Sequence, residues 1–167
     1  MKRLLVLSVA IVLLAACKRN PVPTDRQLWR IEGEWVTPRD ANVRTVLATI
    51  VVFRSSGEFV ERHCRLIEQP DTTVYIASTG PQVVAVGVWK QSGAVVTATR
   101  QKILRSARVA GPEPLCDHPH LTFRVEGNVV SGESGTYAPV TRLVAPDFES
   151  YVNEAKRSSV TCTSASD

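Results

Sequence analysis

The chain has 167 residues, 44% of them hydrophobic, with 20 Lys and Arg against 16 Asp and Glu and a formal charge of +4. That length supports one domain with a real core, and basic residues scattered singly exclude the clustered patch of a nucleic-acid binder. No apolar stretch reaches the roughly 20 residues of a membrane-spanning helix: the run from Leu4 to Ala16 falls short, and Val83 to Val88 is short and interrupted by Gly87.

Lys2 and Arg3 precede the unbroken apolar run Leu4 to Ala16, the charged and hydrophobic regions of an export signal. The run ends on small residues and a cysteine, and Leu14-Ala15-Ala16-Cys17 resembles the lipobox of bacterial lipoproteins. The resemblance implies that residues 1–16 are removed, that the Cys17 thiol receives a diacylglycerol, and that the new amino terminus is acylated. Losing Lys2 and Arg3 halves the excess charge and leaves no case for a polyanion partner. Attachment then comes from lipid, at about 0.8 kcal/mol per buried methylene, so two or three acyl chains hold far better than one. An aspartate after the cysteine favours inner-membrane retention in that family. Lys18 stands there instead, so the resemblance implies the outer membrane, facing the periplasm. Residues 17–27, with Pro21 and Pro23 among polar neighbours, read as the lipidated cysteine and a flexible extended tether. At about 3.1 Å per residue it would lift the domain roughly 25–30 Å.

From Arg30 to Val144 the dominant signal is strands at short spacing, with candidates at 32–37, 44–54, 58–68, 72–78, 83–90, 94–104, 121–126, 129–133 and 137–144. Turn chemistry separates them: Ser55-Ser56-Gly57, Pro70-Asp71, Gly80-Pro81, Gln91-Ser92-Gly93 and Gly127-Asn128. The connections Phe53 to Phe59 and Trp89 to Val95 look alike, each a tight hairpin whose glycine takes the positive-φ position. Leu121, Phe123 and Val125 alternate with Thr122, Arg124 and Glu126, one face in and one face out. Eight or nine strands joined by short turns predict an all-β, antiparallel up-and-down barrel, whose closure removes exposed edges. Phe148, Tyr151, Val152 and Ala155 then fall at helical spacing, with Asp147 suiting the start and Lys156 and Arg157 the end. One C-terminal helix is expected to pack outside the barrel. The domain therefore spans 28–157, and 158–167, small and polar, reads as a flexible tail.

Gly33-Glu34-Trp35 opens the first strand after a stretch, Asp25 to Ile31, that reads as a helical turn. G-x-W at a first strand, consecutive hairpins and an outer helix resemble the lipocalin group of calycin barrels. The resemblance implies that Trp35 packs at the closed barrel end, at Gly33, beneath a basic side chain near the last strand, here Arg142. Cation–π stacking is the physical reason for such a pair.

With Cys17 lipidated, Cys64, Cys116 and Cys162 remain, an odd number in an oxidising compartment. Cys116 lies in the Pro-rich loop 107–120, which gains most from a staple, so Cys64–Cys116 is the expected disulfide, with Cys162 the alternative partner of Cys64. Lipocalins, which the chain resembles, often pin their C-terminal segment to a strand. The histidines all neighbour these cysteines. If Cys64 and Cys116 meet, His63, His118 and His120 gather with Asp117 as a zinc or copper site, against the plainer reading of exposed loop histidines.

Nothing in the sequence assembles a catalytic unit. Gly132-Glu133-Ser134-Gly135 approaches a nucleophile elbow but Thr136 replaces its last glycine, and it lies between strands, as a turn does. Glu32 and Glu34 share a strand face near Arg30 and Arg142 and read as a solvated or ion-paired surface. Glu61, His63 and Arg65 share a face opposite Val60, Cys64 and Leu66, the water side of a strand or a polar lumen. No phosphate loop or dinucleotide fingerprint is present, and no cofactor is expected. The expectation is a monomeric, non-enzymatic, lipid-anchored envelope protein. It binds a small apolar or amphipathic ligand in a barrel of small side chains, or else an envelope protein through loop 107–120.

Overall fold

The structure, a computed structural model, describes residues 21–35, 45–68, 75–77, 83–105, 114–140, 143–144 and 147–162. Ten strands follow in order: β1 (Gln27–Trp35), β2 (Thr45–Phe53), β3 (Glu58–Glu68), β4 (Tyr75–Ala77), β5 (Val83–Ser92), β6 (Val95–Arg105), β7 (His120–Glu126), β8 (Val129–Gly132), β9 (Gly135–Pro139) and β10 (Leu143–Val144). A single helical turn, α1 (Pro114–Asp117), precedes β7, and the helix α2 (Phe148–Arg157) follows β10.

Antiparallel pairing runs β1-β2-β3-β5-β6-β7-β8-β9, passing from β3 to β5 past β4, and closes through β9 with β1. The result is a closed eight-stranded up-and-down barrel of β1–β3 and β5–β9. The short β4 pairs antiparallel with the last residues of β3, Leu66 to Glu68, and β10 adds to it in parallel. The expected last strand over 137–144 is thus divided, because only its first part closes on β1. Gly57 and Gly93 turn the two matching hairpins with φ of 84° and 62°. Gly87 answers a different need. At a bulge between Val86 and Gly87 the backbone of β6 comes so close that a Cβ would meet the Thr99 carbonyl.

Two cores lie on opposite sides of one wall. Inside the barrel, Leu28, Val51, Phe53, Phe59, Val96, Phe123, Val130 and Tyr137 are buried together. Phe53 meets Phe59, Trp89 and Phe123 with ring centroids 5.5, 5.7 and 5.2 Å apart, at tilted or edge-on angles that suit ring quadrupoles. Outside, Val46, Ile50, Val52, Val60, Cys64, Leu66, Val84 and Val86 are covered by Phe148, Val152 and Ala155 of α2. The helix is thus where the apolar periodicity puts it. Two ion pairs flank it, Arg54 with Glu149 at 2.8 Å and Lys156 with Glu58 at 2.6 Å.

The chain enters the barrel earlier than residue 28. Val22 is 3% exposed within the interior core, its N–H donating to Gln91 Oε1 at 3.0 Å. Asp25 replaces the expected helical turn. With φ of 57° it donates its N–H to the Phe53 carbonyl and accepts the Ser55 N–H on Oδ1. Residues 21–27, expected as tether, therefore plug and edge one end of the barrel. Cys17 and Arg142 lie outside the described residues, as does the side chain of Trp35, while Gly33 follows a bulge in β1. No helix among the described residues is long and apolar enough to cross a membrane.

Candidate functional site

Strand alternation fixes which side chains reach the lumen. On β3, Phe59, Glu61, His63 and Arg65 point one way while Val60, Arg62, Cys64 and Leu66 point the other. Phe59 belongs to the interior core and Val60, Cys64 and Leu66 to the core under α2. The Glu61–His63–Arg65 face is therefore the polar lumen rather than a water side.

Glu61 is 3% exposed and Arg100, facing it from β6, is 5% exposed. Arg100 donates from Nε to Glu61 Oε2 at 2.6 Å and from Nη2 to Oε1 at 2.9 Å, the fork-to-carboxylate geometry that makes the strongest such pair. Its Nη1 donates to the carbonyls of Leu115 at 3.1 Å and His118 at 2.7 Å. One guanidinium thus holds both the lumen carboxylate and the α1 segment. Burial alone would push the Glu61 carboxyl up. Hydrogen bonds from His63 and Arg100 outweigh it and hold the carboxyl at about 2.

The network continues through His63. Its Nε2 lies 2.9 Å from Glu61 Oε1 and its Nδ1 3.1 Å from Thr49 Oγ1, while the Thr49 hydroxyl donates to Glu32 Oε1. Arg30 Nη2 donates to the same Glu32 oxygen at 2.8 Å. An ionised carboxylate only accepts, so Glu61 and Glu32 each need donors from this chain: Arg100 supplies them to Glu61, and Arg30 with Thr49 supplies them to Glu32.

These groups line a cleft of 160 Å³ with Leu115, Leu121, Phe123, Glu133, Ser134 and Tyr137. A second hollow of 280 Å³, lined by Leu47, Cys64, Arg65 and Val83, shares Glu32 and His63 with it. Burial raises the Tyr137 hydroxyl above its ordinary range, and Arg30 lies 5.8 Å from its ring centre. The turn at Glu133-Ser134 is the predicted hairpin connection, and it forms part of the cleft rim.

The disulfide joins Cys116 to Cys162, with Cα atoms 4.8 Å apart, and Cys64 is the free thiol among the described residues. Both expected pairings of Cys64 are thereby overturned. The reason is parity: Cys64 points out of the wall under α2, whereas Cys116 lies by the cleft. The segment after α2 runs antiparallel to β6, with Ile103 N–H donating to Val160 and Cys162 N–H to Gln101. That backbone pairing carries Cys162 to α1. Burial pushes the Cys64 thiol up to about 11, so it stays protonated and inert.

The proposed metal ligands are not brought together. His63 serves the lumen, His120 Nδ1 meets Thr99 Oγ1, and Asp117 and His118 are exposed beside α1. Among the described residues no group of three or more His, Cys, Asp or Glu is placed to hold a metal ion.

Periodicity showed neither Arg100, Thr49 nor Arg30 as site residues. The available signal was basic or hydroxyl side chains at lumen parity on β1, β2 and β6. The fold and cleft define a closed barrel with one charged end. Compared with family models, curated proteins and solved structures, the chain matches none of them.

Proposed function

We propose that the chain is a lipid-anchored envelope protein whose lipocalin-like barrel is a non-catalytic binding module for a small amphipathic ligand. The observation that carries this reading is the 160 Å³ cleft, with a charged chain rooted in buried Glu61 and Arg100 on one wall and Leu115, Leu121 and Phe123 on another. A ligand's polar group would lie against Glu32, Thr49 and His63 and its apolar part against the three hydrophobic side chains. A purely apolar ligand is disfavoured, because Phe53, Phe59, Phe123 and Tyr137 already fill the apolar end of the lumen.

Native mass spectrometry of the full chain purified from cells tests this, read beside Thr49→Val and Arg30→Met variants. A co-purifying small molecule that both variants lose is the expected result. Retention by both variants, or no bound molecule together with no binding of amphipathic amine or carboxylate probes, refutes it. A second reading, docking of an envelope protein on the α1 segment, is favoured by one observation. Arg100 and the Cys116–Cys162 bond hold that segment rigidly with Asp117 and His118 exposed. Pull-down with loop 107–120 replaced by a short linker checks it, since unchanged partners would count against it.

A further inference from the structure

We propose that the end of the barrel plugged by Val22 rests on the phospholipid leaflet, and that the charged cleft opens on the far side, toward water. This inference rests on the lipid anchor at Cys17 proposed above and adds the orientation that such an anchor enforces.

The argument begins with where the chain enters. Val22 is buried among the aromatic residues of the closed end, its N–H held by Gln91, and Asp25 is bonded to Phe53 and Ser55 at the same end. Cys17 precedes Pro21 by four residues, which reach at most about 14 Å fully extended. The five longer strands of the wall have 9 to 11 residues, while β7, β8 and β9 have 7, 4 and 5. At about 3.3 Å per residue and a tilt of about 40°, the two ends stand roughly 25 Å apart along the longer strands. The connection is about half that length, so the cleft, which opens at the opposite end, cannot be turned onto the membrane while Val22 stays seated.

The surface of that end fits a leaflet. Its hairpin tips are short and blunt, with Ser55, Ser56, Gly93, Ala94, Gly127 and Asn128 at or near the surface. Val95 and Val129 open β6 and β8 at this rim and are 37% and 45% exposed. Val88, 42% exposed, lies in the same half of β5. Arg26 and Lys90 are exposed there, and Lys18 and Arg19 lie between Cys17 and the barrel in sequence. Of the acidic groups at this end, Asp25 is tied to the Ser55 N–H, Glu58 and Glu149 pair with Lys156 and Arg54, and Glu126 is exposed. Isolated valines beside Arg26 and Lys90 suit the headgroup region of an anionic leaflet. It follows that the ligand reaches the cleft from the aqueous compartment and is not drawn from the bilayer beneath.

The test uses the full chain, made in a host that processes lipoproteins and reconstituted in vesicles of phosphatidylethanolamine and phosphatidylglycerol. A fluorescent label is placed at Ser92→Cys, the last residue of β5 on the closed end, or at Ser134→Cys in the cleft-rim turn, both exposed. Native Cys64 is buried, and Cys116 and Cys162 are paired. Nitroxide lipids labelled at the headgroup are expected to quench the Ser92 label several-fold more than the Ser134 label, with aqueous iodide giving the reverse order. Equal quenching, or stronger lipid quenching at Ser134, overturns the orientation. The mass of the Cys17 peptide reports separately on the anchor. An unacylated Cys17 defeats that reading, and coupling its thiol to a maleimide lipid then tests the orientation by the same two labels.

Discussion

Replacing Glu61 with Gln measures how much the buried charged chain contributes. Glu61 has a folded-state value of about 2 against an ordinary 4.5. Its stabilisation is therefore fully present above pH 4.5 and is lost as pH falls through about 2. A shift of that size, at about 1.4 kcal/mol per unit, corresponds to about 3 kcal/mol. An independent route gives a similar figure. Glu61→Gln leaves Arg100 buried with the carbonyls of Leu115 and His118 but no anion, and an uncompensated buried charge costs about 3–5 kcal/mol. Urea unfolding followed by tryptophan fluorescence, across a pH series for both proteins, reads the difference. The expected gap is about 3 kcal/mol near pH 7, closing toward zero at about pH 2, where protonated Glu61 resembles Gln. Replacing both partners, Glu61→Leu with Arg100→Met, should recover most of the loss, because a buried pair is often matched by apolar groups. A gap below about 1 kcal/mol at pH 7, or one that does not change with pH, would refute the reasoning.

Gly87→Ala drives a Cβ into the Thr99 carbonyl, so the β5–β6 bulge must open, at a cost of about 2–4 kcal/mol by the same unfolding assay. Cys116→Ser removes a cross-link between residues 46 apart and should cost about 4 kcal/mol on the chain-entropy model, with proteolysis near α1 rising in step. Thiol titration offers a sharper check of the pairing: Cys64 should react only after unfolding, while a Cys64–Cys116 bond would leave Cys162 reactive in the native protein. Arg62 is fully buried, with no hydrogen-bond partner for its guanidinium among the described residues, Asp147 4.0 Å away, and the rings of Phe148 and Tyr151 at 5.8 and 5.3 Å. Arg62→Met should therefore stay within about 1 kcal/mol of the parent or exceed it in chemical denaturation.

Strand positions, the glycine hairpins at Gly57 and Gly93, and the face of α2 were legible because each is a local pattern of period or turn chemistry. The side of the wall was not. On β3 the alternation of Val60, Cys64 and Leu66 with Glu61, His63 and Arg65 separates two faces, and the usual rule sends the apolar one inward. Here α2 covers the outside, so the outward face is as dry as the lumen and the rule inverts. The same inversion decides the disulfide, since Cys64 faces out under α2 while Cys116 lies by the cleft. The pairing of residues 158–162 with β6 left no trace in sequence, because it is made by backbone groups, which every residue carries.

With parity settled, a gradient emerges that no single strand displays. Along β1 the lumen residues run Leu28, Arg30, Glu32; along β3, Phe59, Glu61, His63; along β6, Val96, Ala98, Arg100. On the antiparallel β2 the order is reversed, Thr49, Val51, Phe53, as the registers Thr49 with His63 and Phe53 with Phe59 require. These four strands thus pass from apolar to polar in one spatial direction. The aromatic end can be filled to native density because a chain with only 4 Phe, 3 Tyr and 3 Trp directs Phe53, Phe59, Trp89, Phe123 and Tyr137 there. The polar end cannot be filled in the same way. Paired charges need each other's geometry, and the space their fixed hydrogen bonds leave unfilled is the cleft. Its selectivity should then reside in which polar group a ligand offers to Glu32, Thr49 and His63, since the apolar wall of Leu115, Leu121 and Phe123 accepts any hydrocarbon of suitable size.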